Sequence, residues 1–95
     1  MIVIRKGHQL TFEGRAHGSV GITYRLECDE CAFTIDRRYR YLYPEKVTAG
    51  LCGADEAVVT FVLTLSKCGV FRIAEVEEFR GEVTKRTRHV VVVLP

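Results

Sequence analysis

Apolar residues alternate with polar ones along most of the chain, and this period of two constrains the fold more than any other feature. It is clearest in residues 57–65, where every odd-numbered residue is apolar. A strand places successive side chains on opposite faces, whereas a helix would repeat its apolar residues every three or four positions. No window shows that helical spacing over three turns. The sequence therefore predicts an all-β protein.

The strand boundaries follow from the same pattern. The stretch 44–56 contains Pro44 and two glycines and shows little alternation, which predicts one long loop. Residues 88–94 are apolar on both faces, so this strand is expected to be central or covered. The predicted strands are 2–12 with an interruption near Gly7, 22–28, 31–43 with a bend near Arg37, 57–65, 71–79 and 88–94.

Six or seven strands with turns every 8 to 12 residues are typical of two architectures. One is a small antiparallel barrel of the oligonucleotide-binding type, and the other is an immunoglobulin-like β-sandwich; both manage the exposed edges of a sheet. We take the barrel as the first choice. A chain of 95 residues supports one core, so residues 1–95 are expected to form a single domain.

The longest uncharged apolar run is 90–94, far short of the roughly 20 residues of a membrane helix. We therefore expect a soluble, cytoplasmic protein with no membrane contact. The chain has no Asn, one Gln and one Met, a depletion of thermolabile residues that favours a hyperthermophilic source.

The charge balance limits nucleic-acid binding. Fourteen Lys and Arg residues against twelve Asp and Glu residues give a net charge of +2, so binding is expected to be weak and local. In residues 36–43 arginines and tyrosines interleave, as in single-strand binding platforms. On a strand, however, the tyrosines at 39, 41 and 43 would face the core and Arg38 and Arg40 the solvent. The candidate nucleic-acid residues are Arg37, Arg38 and Arg40.

Four cysteines provide half of a zinc motif. Cys28 and Cys31 form a C-x2-C pair, while Cys52 and Cys68 stand alone. Two disulfides, one disulfide with two thiols, or four reduced cysteines all fit the spacing. We expect no bound metal and no cofactor.

No catalytic set is apparent. His8, His17 and His89 are far apart in sequence and are expected to lie on the surface, and neither Ser19 nor Ser66 has the context of an activated nucleophile. The glutamates at 75, 77, 78 and 82 are expected to form a solvated strand face. The protein is therefore expected not to be an enzyme and to have no small-molecule substrate.

Several short motifs resemble a known family. The stretch covered is about residues 22–94, and the motifs are Arg25-Leu26-x-Cys28-Asp29, Phe33-x-Ile35-Asp36, Tyr43-Pro44, Gly69-Val70-Phe71-Arg72-Ile73 and the closing strand 89–94. Together they resemble the small eighth common subunit of eukaryotic RNA polymerases and its counterpart in the archaeal enzyme. The resemblance implies a compact antiparallel barrel without catalytic activity that docks on the largest polymerase subunit.

The first functional expectation is thus a noncatalytic structural subunit of an archaeal DNA-dependent RNA polymerase. Aromatic and Arg-rich edges are typical of buried protein contacts. The alternatives are an immunoglobulin-like protein-interaction module of unknown attachment and a weak single-stranded nucleic-acid binder. The candidate partner-binding residues are Tyr41, Tyr43, Pro44, Phe71 and Arg72.

Overall fold

Seven β-strands form the described part of the protein. The computed structural model describes residues 1–28, 33–45 and 55–95, and the prediction of an all-β protein is confirmed. The predicted loop 44–56 lies largely outside the described residues. The strands are β1 (Ile2–Arg5), β2 (Gln9–His17), β3 (Ile22–Cys28), β4 (Phe33–Tyr41), β5 (Glu56–Leu65), β6 (Gly69–Phe79) and β7 (Glu82–Leu94).

The strands follow the order β1-β7-β6-β3-β2-β5-β4. Among these seven, β1 and β7 pair in parallel and the other neighbours pair antiparallel. Strands β2 and β3 pair at a single position, His17 with Ile22, whereas β2 pairs with β5 along its whole length. The sheet therefore folds at the β2–β3 connection into a four-stranded layer (β1, β7, β6, β3) and a three-stranded layer (β2, β5, β4).

The inner faces of the two layers pack against each other. Three ring pairs cross between them: Phe12 with His89 at 5.1 Å, Tyr24 with Phe61 at 5.7 Å and Phe33 with Phe71 at 5.4 Å between centroids. The strand order leaves β1 and β4 as edges of the described sheet. The barrel is thus not confirmed, and the two facing layers match the alternative sandwich. Alternation could not separate the two, because both place every second residue inward.

Strand β5 supplies much of the core, as its alternation predicted. Val59, Leu63 and Leu65 are fully buried, and Ile73 and Val91 face them from the four-stranded layer. Full burial of an aliphatic side chain contributes roughly 1.5–3 kcal/mol. The apolar face of one strand therefore contributes a large part of the stability that holds the layers together.

The outer face of the four-stranded layer has a covered half. Val76 points outward yet is fully buried, and its partners in register on the neighbouring strands are Arg25 and Arg86. The two arginines are held over the sheet by Glu27, at 2.9 and 3.1 Å, and Arg25 also contacts Glu78 at 2.8 Å. Long Arg side chains can cover apolar surface with their aliphatic stems, which accounts for the burial of this valine.

Strand β7 begins six residues earlier than the predicted start at residue 88. A two-residue turn connects it to β6, with positive φ angles of 51° at Arg80 and 84° at Gly81. Two successive positive φ angles are the geometry of a type I′ turn, which suits a tight hairpin. The sequence did not indicate this extension, because residues 82–88 are mostly polar and carry no apolar face.

Gly14 lies where a ring from the opposite layer packs directly against the backbone. A Cβ atom at this position would overlap with atoms of the Tyr24 ring. The ring of Tyr24 comes from β3 in the opposite layer and is itself 4% exposed. The absence of a side chain at Gly14 is therefore what allows this ring to enter the core.

We expect Gly14→Ala to destabilise the protein by about 1–3 kcal/mol, because an added methyl group must displace a buried ring. Urea unfolding followed by circular dichroism measures the change. In a Tyr24→Leu background the same substitution should cost clearly less. An equal cost in both backgrounds would show that the ring is not the obstacle.

Candidate functional site

Three connections meet at one end of the sandwich. They are the β2–β3 turn at residues 18–21, the β6–β7 turn at Arg80–Gly81 and the segment at Asp55 that leads into β5. The end of β4 reaches the same place, since Leu42 N donates to Glu56 O at 2.9 Å. We call this region, residues 17–22, 42–45, 55–56 and 79–83, the loop end.

Asp55 ties the β2–β3 turn to the start of β5. Its carboxylate accepts hydrogen bonds from Ser19 N at 2.8 Å and from Ser19 Oγ at 2.6 Å, and His17 Nε2 lies 3.3 Å from it. The hydrogen bond from the Ser19 hydroxyl is the main cause that lowers the pKa of Asp55. The ionised carboxylate therefore fixes the conformation of the turn.

Ser19, His17 and Asp55 are the residue types of a hydrolase triad, but their geometry serves another purpose. In a triad the histidine accepts the serine proton and the aspartate orients the histidine. Here the Ser19 hydroxyl donates directly to Asp55. The arrangement orders a turn and does not activate Ser19 as a nucleophile.

A backbone hydrogen bond connects the two turns, from Arg80 N to Gly21 O at 2.8 Å. Gly21 has a positive φ of 88°, and a Cβ atom there would lie 3.0 Å from Arg80 Cγ. The turns therefore pack too closely for a side chain at this glycine, and they form one continuous surface.

Apolar side chains project from this surface. Val20, Phe79 and Val83 are each exposed by more than a third, and the Arg80 guanidinium lies 5.1 Å from the centre of the Phe79 ring. Exposed apolar groups on hydrogen-bonded turns are suited to contact with another macromolecule. Such a surface can bind a partner without carrying out chemistry.

A second polar cluster lies between the layers. Tyr24 OH donates to Glu75 Oε1 at 2.6 Å, and His89 Nε2 lies 2.6 Å from Glu75 Oε2. Burial, followed by the hydrogen bond to Glu75, raises the pKa of Tyr24. Burial alone would raise the pKa of Glu75, but the hydrogen bonds from Tyr24 and His89 outweigh it and lower that pKa. The cluster joins β3, β6 and β7 across the four-stranded layer.

This cluster corrects two expectations. His89 was expected on the surface and Glu75 on a solvated strand face, yet both are partly buried on the inner side. The register supplies the reason. Glu75 pairs with Leu26, and Leu26 lies on the same face of β3 as the buried Tyr24, so Glu75 also faces the inner side. Alternation from Phe71 and Ile73 places residue 75 on the inner face, but a glutamate is usually solvated, and its residue type therefore pointed to the surface.

The five predicted partner-binding residues do not form one site. Tyr41, Tyr43 and Pro44 lie at or next to the loop end, whereas Phe71 packs on Phe33 between the layers near the opposite end. Arg72 follows Phe71 and points outward from the four-stranded layer. The structure therefore does not bring Phe71 together with the tyrosines, because its alternation directs it between the layers. Partner binding by these residues stays a prediction.

The tyrosines of β4 are not core residues. Tyr39 and Tyr41, together with Tyr43 two residues beyond the end of β4, are between 42% and 44% exposed, because β4 is an edge strand that the other layer covers only at its beginning. Arg37 lies 5.3 Å from the centre of the Tyr39 ring, so one predicted nucleic-acid residue shares a face with the rings. Arg38 instead contacts Asp36 at 3.0 Å, and Arg40 alternates with Tyr39 and Tyr41 onto the opposite face.

Two of the cysteines can be placed. Cys28 ends β3 and Cys68 precedes β6, and both lie at the end opposite the loop end. Cys31 and Cys52 lie outside the described residues, so the pairing of the four cysteines stays open.

Within the described ranges no three His, Cys, Asp or Glu side chains converge in a way that could hold a metal ion. Likewise, no helix there is long and apolar enough to cross a membrane.

Comparison with known proteins identifies a fold but no family. No family model matches the chain, and no curated protein matches it. Among solved structures, the chain is similar to the crystal structure of the cysteine protease inhibitor EhICP2 from Entamoeba histolytica. The TM-score is 0.77 at 14% sequence identity, and the match covers 98% of this chain and 85% of that one. The likeness shows a shared all-β fold.

We expect Glu75→Gln to weaken the pH dependence of stability. Because the folded protein lowers its pKa, Glu75 contributes stability that is complete above its ordinary value of 4.5 and is lost as pH falls through the lowered value. The variant should be less stable than the parent at neutral pH and should lose less on acidification. Urea unfolding at a series of pH values measures both effects.

The exposed Glu82 provides the control, since Glu82→Gln changes the same charge outside the buried cluster. If both variants show the same acid profile, the stabilising role assigned to the Tyr24–Glu75–His89 cluster is wrong.

Proposed function

We propose that this protein is a noncatalytic inhibitor that binds a cysteine protease through its loop end. The observation that carries the proposal is the construction of that end, in which separate turns are hydrogen-bonded to one another and present exposed apolar side chains. The structural likeness to a cysteine protease inhibitor suggests the class of partner.

The shape of the molecule supports this use. Its principal extents are 48 × 26 × 19 Å, and strands of 9 to 13 residues run along the long direction. The loop end is therefore one of the two narrow ends. Enzyme active sites are concave, so a narrow end of the molecule can enter one more readily than a broad face of the sheet can.

The hydrogen bonds within the loop end favour tight binding. Asp55 holds the β2–β3 turn, and the Arg80–Gly21 bond holds that turn against the next. A surface that is ordered before binding loses less conformational entropy in the complex. The same order hinders a protease from drawing the turns into its catalytic site as an extended substrate.

We expect the purified protein to inhibit papain, used as a representative cysteine protease, in an assay with a fluorogenic peptide substrate. Val20→Ser combined with Phe79→Ser should raise the inhibition constant by about tenfold or more, because central apolar contacts dominate the affinity of such complexes. The double variant should keep the circular dichroism spectrum of the parent.

Lys67→Ala, at the opposite end of the sandwich, is the matched control and should inhibit as the parent does. Absence of inhibition against papain and a panel of related proteases would contradict the proposal. Inhibition that is equal in the parent and in the Val20–Phe79 variant would place the contact surface elsewhere.

The polymerase subunit is the second candidate. The half-exposed tyrosines on an edge strand favour it, since exposed aromatic groups on an unpaired edge are suited to a protein contact. Docking on the largest polymerase subunit stays a prediction.

We expect Tyr41→Ala with Tyr43→Ala to fold normally, because both side chains are partly exposed. If the polymerase is the partner, the variant should co-purify less with its largest subunit than the parent does. Mass spectrometry of proteins that co-elute with a tagged copy measures this. A parent protein that never co-elutes with polymerase would exclude this candidate.

A further inference from the structure

A contiguous apolar surface lies on the outer face of the four-stranded layer. Val3, Val92 and Val70 are aligned in register across β1, β7 and β6, and Val90 lies in the next outward position of β7. Val3 is 56%, Val70 66%, Val90 41% and Leu94 43% exposed. We call Val3, Val70, Val90, Val92 and Leu94 the valine face.

The valine face differs from the rest of the same layer. Farther along, the outward Val76 is fully buried between Arg25 and Arg86, which glutamates hold in place. No described side chain covers the valine face in the same way. Single exposed valines are common on strands, but a row across three strands, about 10 Å wide, forms a patch of the kind that marks interaction sites.

Three arginines flank the valine face. Arg5 is in register with Leu94 at one side, and Arg72 and Arg88 lie at the other. In the described parts of the chain none of these three arginines forms an ion pair, in contrast to Arg25 and Arg86. Among the described residues, the charge of this rim is therefore not neutralised by an ion pair.

The surface also has room for side chains of a partner. A depression of about 570 Å³ includes Arg72, Arg88 and Val90 among its lining residues. Glu27 also lines it, and the carboxylate of Glu27 is paired with Arg25 and Arg86. A shallower depression of about 390 Å³ lies at Val3, Arg5 and Leu94. Each depression thus lies at one side of the valine face and has both arginine and apolar side chains in its lining.

We propose that the valine face binds a segment of another protein in which apolar side chains alternate with Asp or Glu. The apolar side chains would cover the valines, and the carboxylates would pair with Arg72 and Arg88 at one side and with Arg5 at the other. Arginine is suited to this contact because its planar group can bind a carboxylate through two hydrogen bonds.

The charges argue against a second copy of this chain as the occupant. Two valine faces in contact would bring their six rim arginines together, and like charges at an interface are costly. The site also lies toward the end opposite the loop end, so the inference does not depend on the proposed inhibitory function. Both surfaces can be occupied at the same time.

A short synthetic peptide that alternates Glu and Val is the probe, and its fluorescence anisotropy measures binding. Two matched peptides replace Val by Ser or Glu by Lys. We expect the Glu–Val peptide to bind, and the Glu–Ser and Lys–Val peptides to bind at least about tenfold more weakly. Substituting Val70→Thr with Val90→Thr should weaken binding of the Glu–Val peptide.

Reversal of the rim charges gives the sharper test. Arg72→Glu with Arg88→Glu should weaken the binding of the Glu–Val peptide by about tenfold or more and strengthen the binding of the Lys–Val peptide. Arg37→Glu with Arg40→Glu, on the exposed β4 edge, matches the change in net charge and should alter neither interaction appreciably. Circular dichroism confirms that each variant is folded.

Three results would overturn the proposal. The first is equal binding of the Glu–Val and Glu–Ser peptides, which would show that net charge alone determines the affinity. The second is a dimer in sedimentation equilibrium that the Val70–Val90 substitutions abolish, because the occupant would then be a second copy. The third is unchanged peptide binding after reversal of Arg72 and Arg88. None of these results bears on protease inhibition by the loop end.

Discussion

The insertion of Tyr24 between the two layers is the interaction on which the rest of the structure depends. Strands β2 and β3 share only one backbone pairing, so side chains must hold the layers together where the sheet folds over. The Tyr24 ring lies over Gly14 and against Phe61 of the three-stranded layer, while its hydroxyl group donates to Glu75 of the four-stranded layer. One residue thus joins apolar packing between the layers to hydrogen bonding within a layer.

The position of the loop end follows from this insertion. Gly14 and Tyr24 stand on the two strands that the 18–21 turn connects, and their contact fixes the separation of those strands. Asp55 and Arg80 then hold the turn from two further directions. The geometry of the exposed turns is therefore set by buried contacts, which is how a rigid scaffold gives precision to a binding surface on loops.

The sequence predicted the strands better than their assembly. The alternation in β5 identified a core strand because each of its inward positions is apolar. The polar start of β7 has no such alternation and was therefore not predicted. The link between Ser19 and Asp55 spans 36 positions, and no local pattern could reveal it. The same holds for Tyr24 and Glu75, which are 51 positions apart. The choice between barrel and sandwich depends on such distant contacts, so periodicity alone could not settle it.

The parallel pairing of β1 with β7 has a consequence for the order of folding. Ile2 is in register with Val91, so residues near the two ends of this sequence must meet before the four-stranded layer is complete. Contacts between residues so far apart form late, since closing a long loop costs entropy before any contact compensates for it. During synthesis, β1 leaves the ribosome before β7, its neighbour in the described sheet, and cannot pair with it until β7 has followed. In that interval the apolar residues of β1 lack this neighbour, and unpaired strand edges of this kind favour aggregation.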